Sequence, residues 1–179
     1  MSIIITIVLL MVSVEMGSSL YDGCTSKLYP TNCPLQFGNV GRKRCIKMKT
    51  ADFGSAFTRL EGDRYCKETY GNGAHLADIH GKQEFLDTRC YMIQTSTVAN
   101  ARDPKVLLGM TYNKKTKTTY DYDGTEQSDS YWGKEPSELT LGDNMIIRAH
   151  ETVKRSFLSN FGYKETRYER ILCSWPVKK

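Results

Sequence analysis

The sequence contains no apolar run long enough to cross a membrane as a helix, which takes about 20 residues. Its most hydrophobic stretch, Ile3–Val14, is shorter and is followed by Glu15 and the small residues Gly17–Ser19. This order is typical of the apolar centre and cleavage region of a secretory signal peptide, although no Lys or Arg precedes it. An uncleaved anchor is the alternative. We expect residues 1–19 to be a signal peptide and the protein to be secreted, with no membrane span.

The chain also lacks the patterns that mark several enzyme classes. It has no H-E-x-x-H, no Gly-rich phosphate loop and no Ser-His-Asp arrangement that can be placed. The N-x-S/T pattern for N-glycosylation is absent too. We therefore do not expect an enzyme, and we do not expect the domain to be N-glycosylated.

The cysteines favour disulfides over a zinc site. There is no C-x2-C pair, and His75, His80 and His150 have no spacing matched to the cysteines. An even number of cysteines in an exported chain indicates disulfide bonds, whose pairing composition alone leaves open. The six cysteines all follow the expected signal peptide: Cys24, Cys33, Cys45, Cys66, Cys90 and Cys173.

The formal charge of +5 comes partly from two basic clusters, RKRCIKMK at 42–49 and the lysines Lys114, Lys115 and Lys117. Such clusters attract sulfated polysaccharide, anionic lipid or nucleic acid, although most are solvated faces. An exported chain without an Arg-aromatic repeat is not expected to bind nucleic acid. Sulfated polysaccharide stays among the predicted partners.

The order of local patterns predicts a single α+β domain. CPLQFGNVGRKRCIKM is typical of a hairpin with its turn at the glycines. TRLEGDRYCKETYG is typical of a helix, with apolar residues at helical spacing: Leu60, Tyr65, Cys66 and Tyr70. HLADI predicts a strand, GKQEFLDTRCYMIQ a second helix and KVLLGM a buried strand. NMIIRAH and ERILCSW predict two closing strands.

Between the last helix and the closing strands, Tyr112–Asn144 is polar and dotted with glycine. Tyr120, Tyr122 and Trp132 interrupt it, and disordered segments are poor in aromatics. A long ordered loop in a compact domain is usually functional. The function is therefore expected on this loop.

Taken together, these segments resemble the C-type lectin-like domain from about Cys33 to Trp175. CPLQF and RCIKM resemble the hairpin of its long form, HLADIHGKQEFL its L-A-S-I strand and second helix, and LLGM its W-I-G-L strand. YDYDGTEQSDSYWGKEPS follows its W-x-W-x-D-G, Y-x-x-W and E-P-N run, and ILCSW its last strand. The resemblance implies two helices flanking small antiparallel sheets with a long ordered loop region, over residues 33–177, after an N-terminal segment 20–32.

The resemblance also implies the disulfides Cys33–Cys45 and Cys66–Cys173. Both cysteines of the family's third bridge are absent, since the chain has Met145 after Asp143-Asn144 and Glu165 near the second position. Cys24 and Cys90 then have no partners in the family pattern. They either pair with each other, or Cys24 links two chains into a disulfide-bonded dimer.

In sugar-binding members of the family, the residues on either side of a cis-proline in E-P-N hold calcium and the sugar hydroxyls. Here Glu135-Pro136-Ser137 keeps the carboxylate and replaces the amide by a hydroxyl. Asp143, six positions after Ser137, matches the next acidic ligand, and Asn144 a ligand of the auxiliary calcium site. Asn160 matches the Asn of the later W-N-D step, but Phe161 replaces the Asp.

The resemblance thus implies calcium as cofactor and the ligand set Glu135, Ser137, Asp143, Asn144 and Asn160. Sugar contacts are expected from Glu135, Ser137, Asp143 and the ring of Trp132. The E-P-S triplet matches neither the mannose-type nor the galactose-type pattern, so the monosaccharide stays open. Because one carboxylate is missing, retention and loss of calcium both stay open.

These expectations combine into a secreted carbohydrate-binding protein that recognises glycans or glycoproteins in adhesion or innate defence. The alternative, from a different class, is a calcium-independent protein-binding module with the same fold. The ligand replacements and basic clusters favour that alternative, whereas E-P-S and the Asp143 spacing favour the lectin.

Overall fold

The computed structural model describes Cys24, Cys33 and residues 38–40, 44–97, 104–127, 143–150, 152–160 and 166–176. The expected signal peptide and most of residues 20–32 lie outside these ranges. So do Trp132, Glu135 and Ser137 of the predicted loop site.

The described residues form two α-helices and nine strands, an α+β arrangement as the sequence predicts. The helices are α1 (Arg59–Tyr70) and α2 (Gly81–Thr97), with a short 3-10 turn at Val153–Arg155. The strands are β1 (Gly38–Val40), β2 (Arg44–Thr50), β3 (His75–Leu76), β4 (Lys105–Asn113), β5 (Thr118–Tyr120), β6 (Glu126–Gln127), β7 (Asn144–Arg148), β8 (Phe157–Asn160) and β9 (Arg170–Pro176).

One curled sheet joins the two ends of the domain. Its main order is β1-β2-β9-β4-β5-β6, with β3 also paired to β9, and β7 paired to both β4 and β8. The β4–β9 contact is parallel, at Leu107 and Ile171, and the other pairings are antiparallel. The sheet therefore brings the C-terminal strand between the N-terminal hairpin and the central strand β4.

The core has two parts, on either side of β4 and β7. Alternate residues of these strands face opposite ways, so Met145 and Ile147 enter one cluster and Ile146 the other. The larger cluster receives Phe85 and Met92 from α2, and both are fully buried. The smaller cluster surrounds the Cys66–Cys173 bridge beneath α1.

Local sequence explains where α1 begins and ends. The Thr58 hydroxyl accepts from the Glu61 backbone amide, and the Glu61 carboxylate accepts from that of Thr58, which is a capping box. Gly71 ends the helix at φ 88°, a backbone angle that glycine adopts without strain. In the described part of the chain, no helix combines the length and apolar character that crossing a membrane requires.

All six cysteines are paired within the chain. The bonds are Cys33–Cys45 and Cys66–Cys173, the two that the resemblance implies, together with Cys24–Cys90. No cysteine is free. The interchain bridge through Cys24 is therefore corrected: its sulfur is already bonded to α2 of the same chain.

The structure also refines several predicted elements. The hairpin and both helices are present, but Gly38–Val40 is a strand rather than part of the turn. In α1, Cys66 is buried as its helical spacing predicts, and Tyr65 and Tyr70 pack against the smaller cluster, whereas Leu60 is 70% exposed. The predicted loop begins with strands β5 and β6, and the two closing strands pair with β8 and β2 rather than with each other.

Candidate functional site

The predicted loop site meets the described structure at Asp143. This residue directly precedes β7, and its backbone carbonyl accepts a hydrogen bond of 2.8 Å from the amide of Tyr112 on β4. Its side chain is exposed. The sheet thus holds the backbone of Asp143 in place while its carboxylate remains open to solvent.

Asn144 lies on the other side of the sheet and is only 2% exposed. Its side chain is hydrogen-bonded to the Tyr168 hydroxyl, within the smaller core cluster. Burial raises the pKa of Tyr168, and this hydrogen bond opposes the rise. We therefore assign Asn144 a structural role, in place of the auxiliary calcium ligand that the resemblance implies.

Asn160 ends β8 directly opposite Met145. Paired residues of an antiparallel ladder project to the same face, and residues two apart on a strand do so too. Asp143 and Asn160 therefore share one face of the β7–β8 pair, while Asn144 projects from the other. Asn160 itself is fully buried. Of the five predicted metal ligands, the described structure places these two on a common face.

A second polar cluster was not found from the sequence. Asp78 and His80 follow β3, and Asp121 follows β5; one donor atom from each lies within 4.8 Å of the others. His80 Nε2 is 3.1 Å from Asp121 Oδ1. The Tyr122 amide donates to Asp78 Oδ1 at 3.0 Å, and the Gln127 amide donates to Asp121 Oδ2. We call Asp78, His80 and Asp121 the DHD cluster.

Burial and a neighbouring carboxylate shift the ionisation of Asp78. Burial raises the pKa of Asp78 to about 7, with the negative charge of Asp121 as the next cause, while the Tyr122 amide and Arg44 act against the rise. The hydrogen bond to Asp121 raises the pKa of His80. Asp78 therefore keeps its proton to a higher pH than an exposed aspartate does.

Close backbone contacts hold the two halves of the DHD cluster together. A side-chain carbon on Gly109 of β4 would overlap the Leu76 carbonyl oxygen and lie 2.9 Å from the Tyr122 Cβ. The ring of His75 stacks on that of Tyr122, with centroids 3.6 Å apart. Arg59, the first residue of α1, donates a hydrogen bond of 3.0 Å from its Nε to the Gly109 carbonyl. Segments distant in sequence thus meet at Gly109.

Comparison with known proteins gave matches among solved structures only: no family model and no curated protein sequence matches the chain. CEL-IV superposes with a TM-score of 0.60 over 83% of this chain and 97% of its own, at 18% identity. Human lithostathine gives 0.59 over 80% and 90%, at 18% identity. The mouse scavenger receptor C-type lectin carbohydrate-recognition domain gives 0.58 over 82% and 98%, at 13% identity.

The class of fold follows from these superpositions together with the architecture above. The chain has the C-type lectin-like fold, which confirms the fold that its segments resemble. At such low identities the likeness establishes the fold alone. What the chain binds must be argued from its own residues.

Proposed function

We propose that this chain is a secreted carbohydrate-binding protein whose binding surface is the loop region that joins β7 at Asp143. The observation that carries the proposal is the exposed carboxylate of Asp143 beside a backbone clamped to β4. An exposed, fixed carboxylate where a long polar loop returns to a sheet suits recognition of hydroxyl groups. The paired cysteines support an oxidising, extracellular location.

Calcium fits this surface in part. The ion takes 6–8 oxygen ligands, and Asp143 offers a carboxylate that is open to solvent. Asn144 is committed to Tyr168 and offers none. We propose that Glu135 and Ser137, outside the described residues, would hold the ion together with Asp143. With so few ligands the affinity belongs at the weak end of the range, about 10⁻⁴–10⁻³ M.

The ligand class is argued by analogy with the fold and by the loop chemistry. One of the matching structures is described as a C-type lectin carbohydrate-recognition domain. We propose glycans or glycoproteins as partners for this chain as well, with Trp132 as a stacking surface for the sugar.

Sulfated polysaccharide is a narrower form of the same proposal. Fewer positive charges are available to bind a sulfated polysaccharide than the sequence predicts, because Arg44 of the first basic cluster forms an ion pair with Glu84. Lys115 and Lys117, in the turn between β4 and β5, remain exposed.

Thermal unfolding of the oxidised protein in 5 mM calcium and in excess chelator tests the metal. For a Kd of about 0.5 mM, linkage predicts about 1.4 kcal/mol of stabilisation, a rise in Tm of roughly 3–6 °C. Asp143→Asn and Glu135→Gln should remove the rise. Asp52→Asn is the matched control, since Asp52 is an exposed carboxylate outside the predicted ligand set whose side chain forms an ion pair with Lys49.

Retention on immobilised mannose, galactose and heparin, with and without calcium, tests the ligand. We expect retention on at least one resin and its loss in Asp143→Asn. Retention on heparin that survives about 1 M salt would exclude a purely electrostatic contact, because screening then acts within about 3 Å. Failure on every glycan in both conditions would overturn the proposal in favour of the protein-binding alternative.

A further inference from the structure

The DHD cluster is assembled from two places in the chain that only the fold brings together. Asp78 and His80 lie in the connection from β3 to α2, and Asp121 lies in the turn between β5 and β6. The nearest predicted calcium ligand, Asp143, belongs to a different connection. The cluster therefore stands apart from the loop site in the chain and in composition, since it contains a histidine.

One oxygen of the cluster has no donor. The Asp78 side chain is 3% exposed, and its Oδ1 is satisfied by the Tyr122 amide. No described residue donates a hydrogen bond to its Oδ2. The closest group is His75 Nδ1 at 3.7 Å, and that nitrogen already bonds to the Leu76 carbonyl at 2.7 Å. Because Asp78 Oδ2 is not among the fully enclosed side-chain atoms that lack a partner, it keeps some access for a ligand.

The hydrogen bonds from Tyr122 and Gln127 orient the two carboxylates and leave other atoms of the cluster to bind a metal. Tyr122 holds one oxygen of Asp78, and Gln127 holds one oxygen of Asp121. The second oxygen of Asp78 is left for another ligand, and the second oxygen of Asp121 bonds to His80, the third member of the cluster. Supporting hydrogen bonds of this kind are what fix the ligands of metal sites in proteins.

The distances also suit a small cation. Ligands 2.0–2.1 Å from a tetrahedral zinc ion are about 3.3 Å from one another. His80 Nε2 and Asp121 Oδ1 are 3.1 Å apart, and the third donor lies within 4.8 Å of both. A cation between them would take the place of the proton shared by His80 and Asp121, and that proton would go to solvent.

We propose that Asp78, His80 and Asp121 bind one divalent transition-metal ion, for which Zn²⁺ is the representative. An imidazole nitrogen with two carboxylates suits zinc better than calcium, which takes oxygen ligands in larger number. The His80 side chain is 40% exposed, so the ion can enter from solvent and water can complete its coordination.

A cation at this position would also balance the negative charge of the two carboxylates. Two carboxylates face each other there, and Arg44, the neighbouring guanidinium, already donates to Glu84 and to the Asp78 backbone carbonyl. The metal would neutralise both carboxylates at once. We infer that it would tie the β3–α2 connection to the β5–β6 turn, next to the loop region.

The test is a calorimetric titration of the oxidised full chain with Zn²⁺ in saturating calcium, after removal of bound metals. We expect one zinc per chain, with the affinity reduced at least about tenfold in His80→Gln and in Asp121→Asn. His150→Gln is the matched control, because His150 is a second solvent-accessible histidine whose ring contacts only Thr152. Its affinity should equal that of the unmodified protein.

Imidazole ¹⁵N spectra of the unmodified protein give a reading that does not depend on how the variants fold. Zinc should shift the Nε2 resonance of His80 and leave that of His150 in place. Binding unchanged in His80→Gln, or zinc that shifts His150 instead, would overturn the proposal, as would the absence of any binding heat. Glu135→Gln and Asp143→Asn should leave zinc affinity intact, which separates this site from the proposed calcium site.

Discussion

The side chain of Asn144 is hydrogen-bonded to Tyr168 in the core, while the carboxylate of the preceding residue, Asp143, is in solvent. Two adjacent residues that a motif assigns to the same metal region therefore lie in different surroundings, with Asp143 exposed just before β7 and Asn144 buried as its first residue. This difference gives the calcium proposal a direct internal control.

Asp143→Ala should remove the calcium response and leave the stability unchanged, whereas Asn144→Ala should lower the stability and leave the calcium response unchanged. Asp143→Ala removes an exposed group, so stability in chelator should change by no more than about 0.5 kcal/mol while the calcium-dependent rise in Tm disappears. Asn144→Ala leaves the Tyr168 hydroxyl unpaired and should cost about 1–3 kcal/mol, with the calcium response retained. Urea unfolding with and without calcium measures both. Loss of the calcium response in Asn144→Ala would restore Asn144 as a ligand.

Gly109→Ala should be among the most damaging single substitutions in the domain. Its side-chain carbon would meet the Leu76 backbone carbonyl and Tyr122, neither of which can move freely. Overpacking of this kind costs about 1–3 kcal/mol, and more when backbone must shift. Gly54→Ala is the comparison for backbone strain without overlap, since Gly54 has φ 77° but a side-chain carbon there meets nothing within 4 Å. Urea denaturation showing equal losses for the two variants would mean that the contact at Gly109 is not tight.

Removing the Cys24–Cys90 bond should cost more than removing Cys33–Cys45. The first spans 66 residues and the second 12. The loop-entropy relation then gives about 4 kcal/mol against about 3 kcal/mol. Arg89 adds to the difference, because its buried guanidinium lies 3.4 Å from the Cys24 sulfur. Paired Cys→Ser variants and urea unfolding provide the comparison, and a reversed order would show that the first bond is strained or not formed.

The stability of the metal-free protein should fall as pH rises from about 4 to about 7. Asp78 has its pKa raised from 3.8 to about 7 in the folded state, so the folded chain keeps a proton that the unfolded chain releases in this window. The stabilisation from the proton on Asp78 is complete at pH values below the pKa of Asp78 in the unfolded chain. It is lost at pH values above the pKa of Asp78 in the folded chain. Its size is at most about 4 kcal/mol.

Asp78→Asn isolates this effect, since its amide oxygen still accepts from Tyr122. In chelator, the variant should be more stable than the unmodified protein at about pH 8, and the gap should close toward pH 4. Denaturant titrations across this range measure the slope. Parallel pH profiles for the two proteins would show that Asp78 ionises normally.

Much of the fold could be predicted because it depends on local patterns. The capping residues around Thr58 and the apolar spacing in Phe85–Ile93 locate both helices. Strand pairing was harder, since NMIIR and RILCSW do not pair with each other but lie on either side of β4. Leu60 was misassigned because helical spacing alone does not say which of two adjacent faces is buried.

The candidate sites also differ in how far local sequence could predict them. Asp143 could be found because its spacing from Ser137 is a feature of the sequence. The face of Asn144 depends on the register of β7 against β4 and β8, which no local pattern specifies. The DHD cluster joins residues from two distant segments. The D-x-H pattern of Asp78 and His80 therefore did not predict a metal site, because it does not show that Asp121 lies beside it.

The pairing of β2 with β9 has a consequence for biosynthesis. Arg44 lies opposite Pro176 and Thr50 opposite Arg170, so this part of the sheet cannot close until the chain has been made as far as Pro176. Cys66 likewise finds its partner in Cys173, 107 residues later. Contacts of such sequence separation form slowly. Residues 44–70 would therefore wait for β9, with Cys66 still unpaired, before this part of the domain can close.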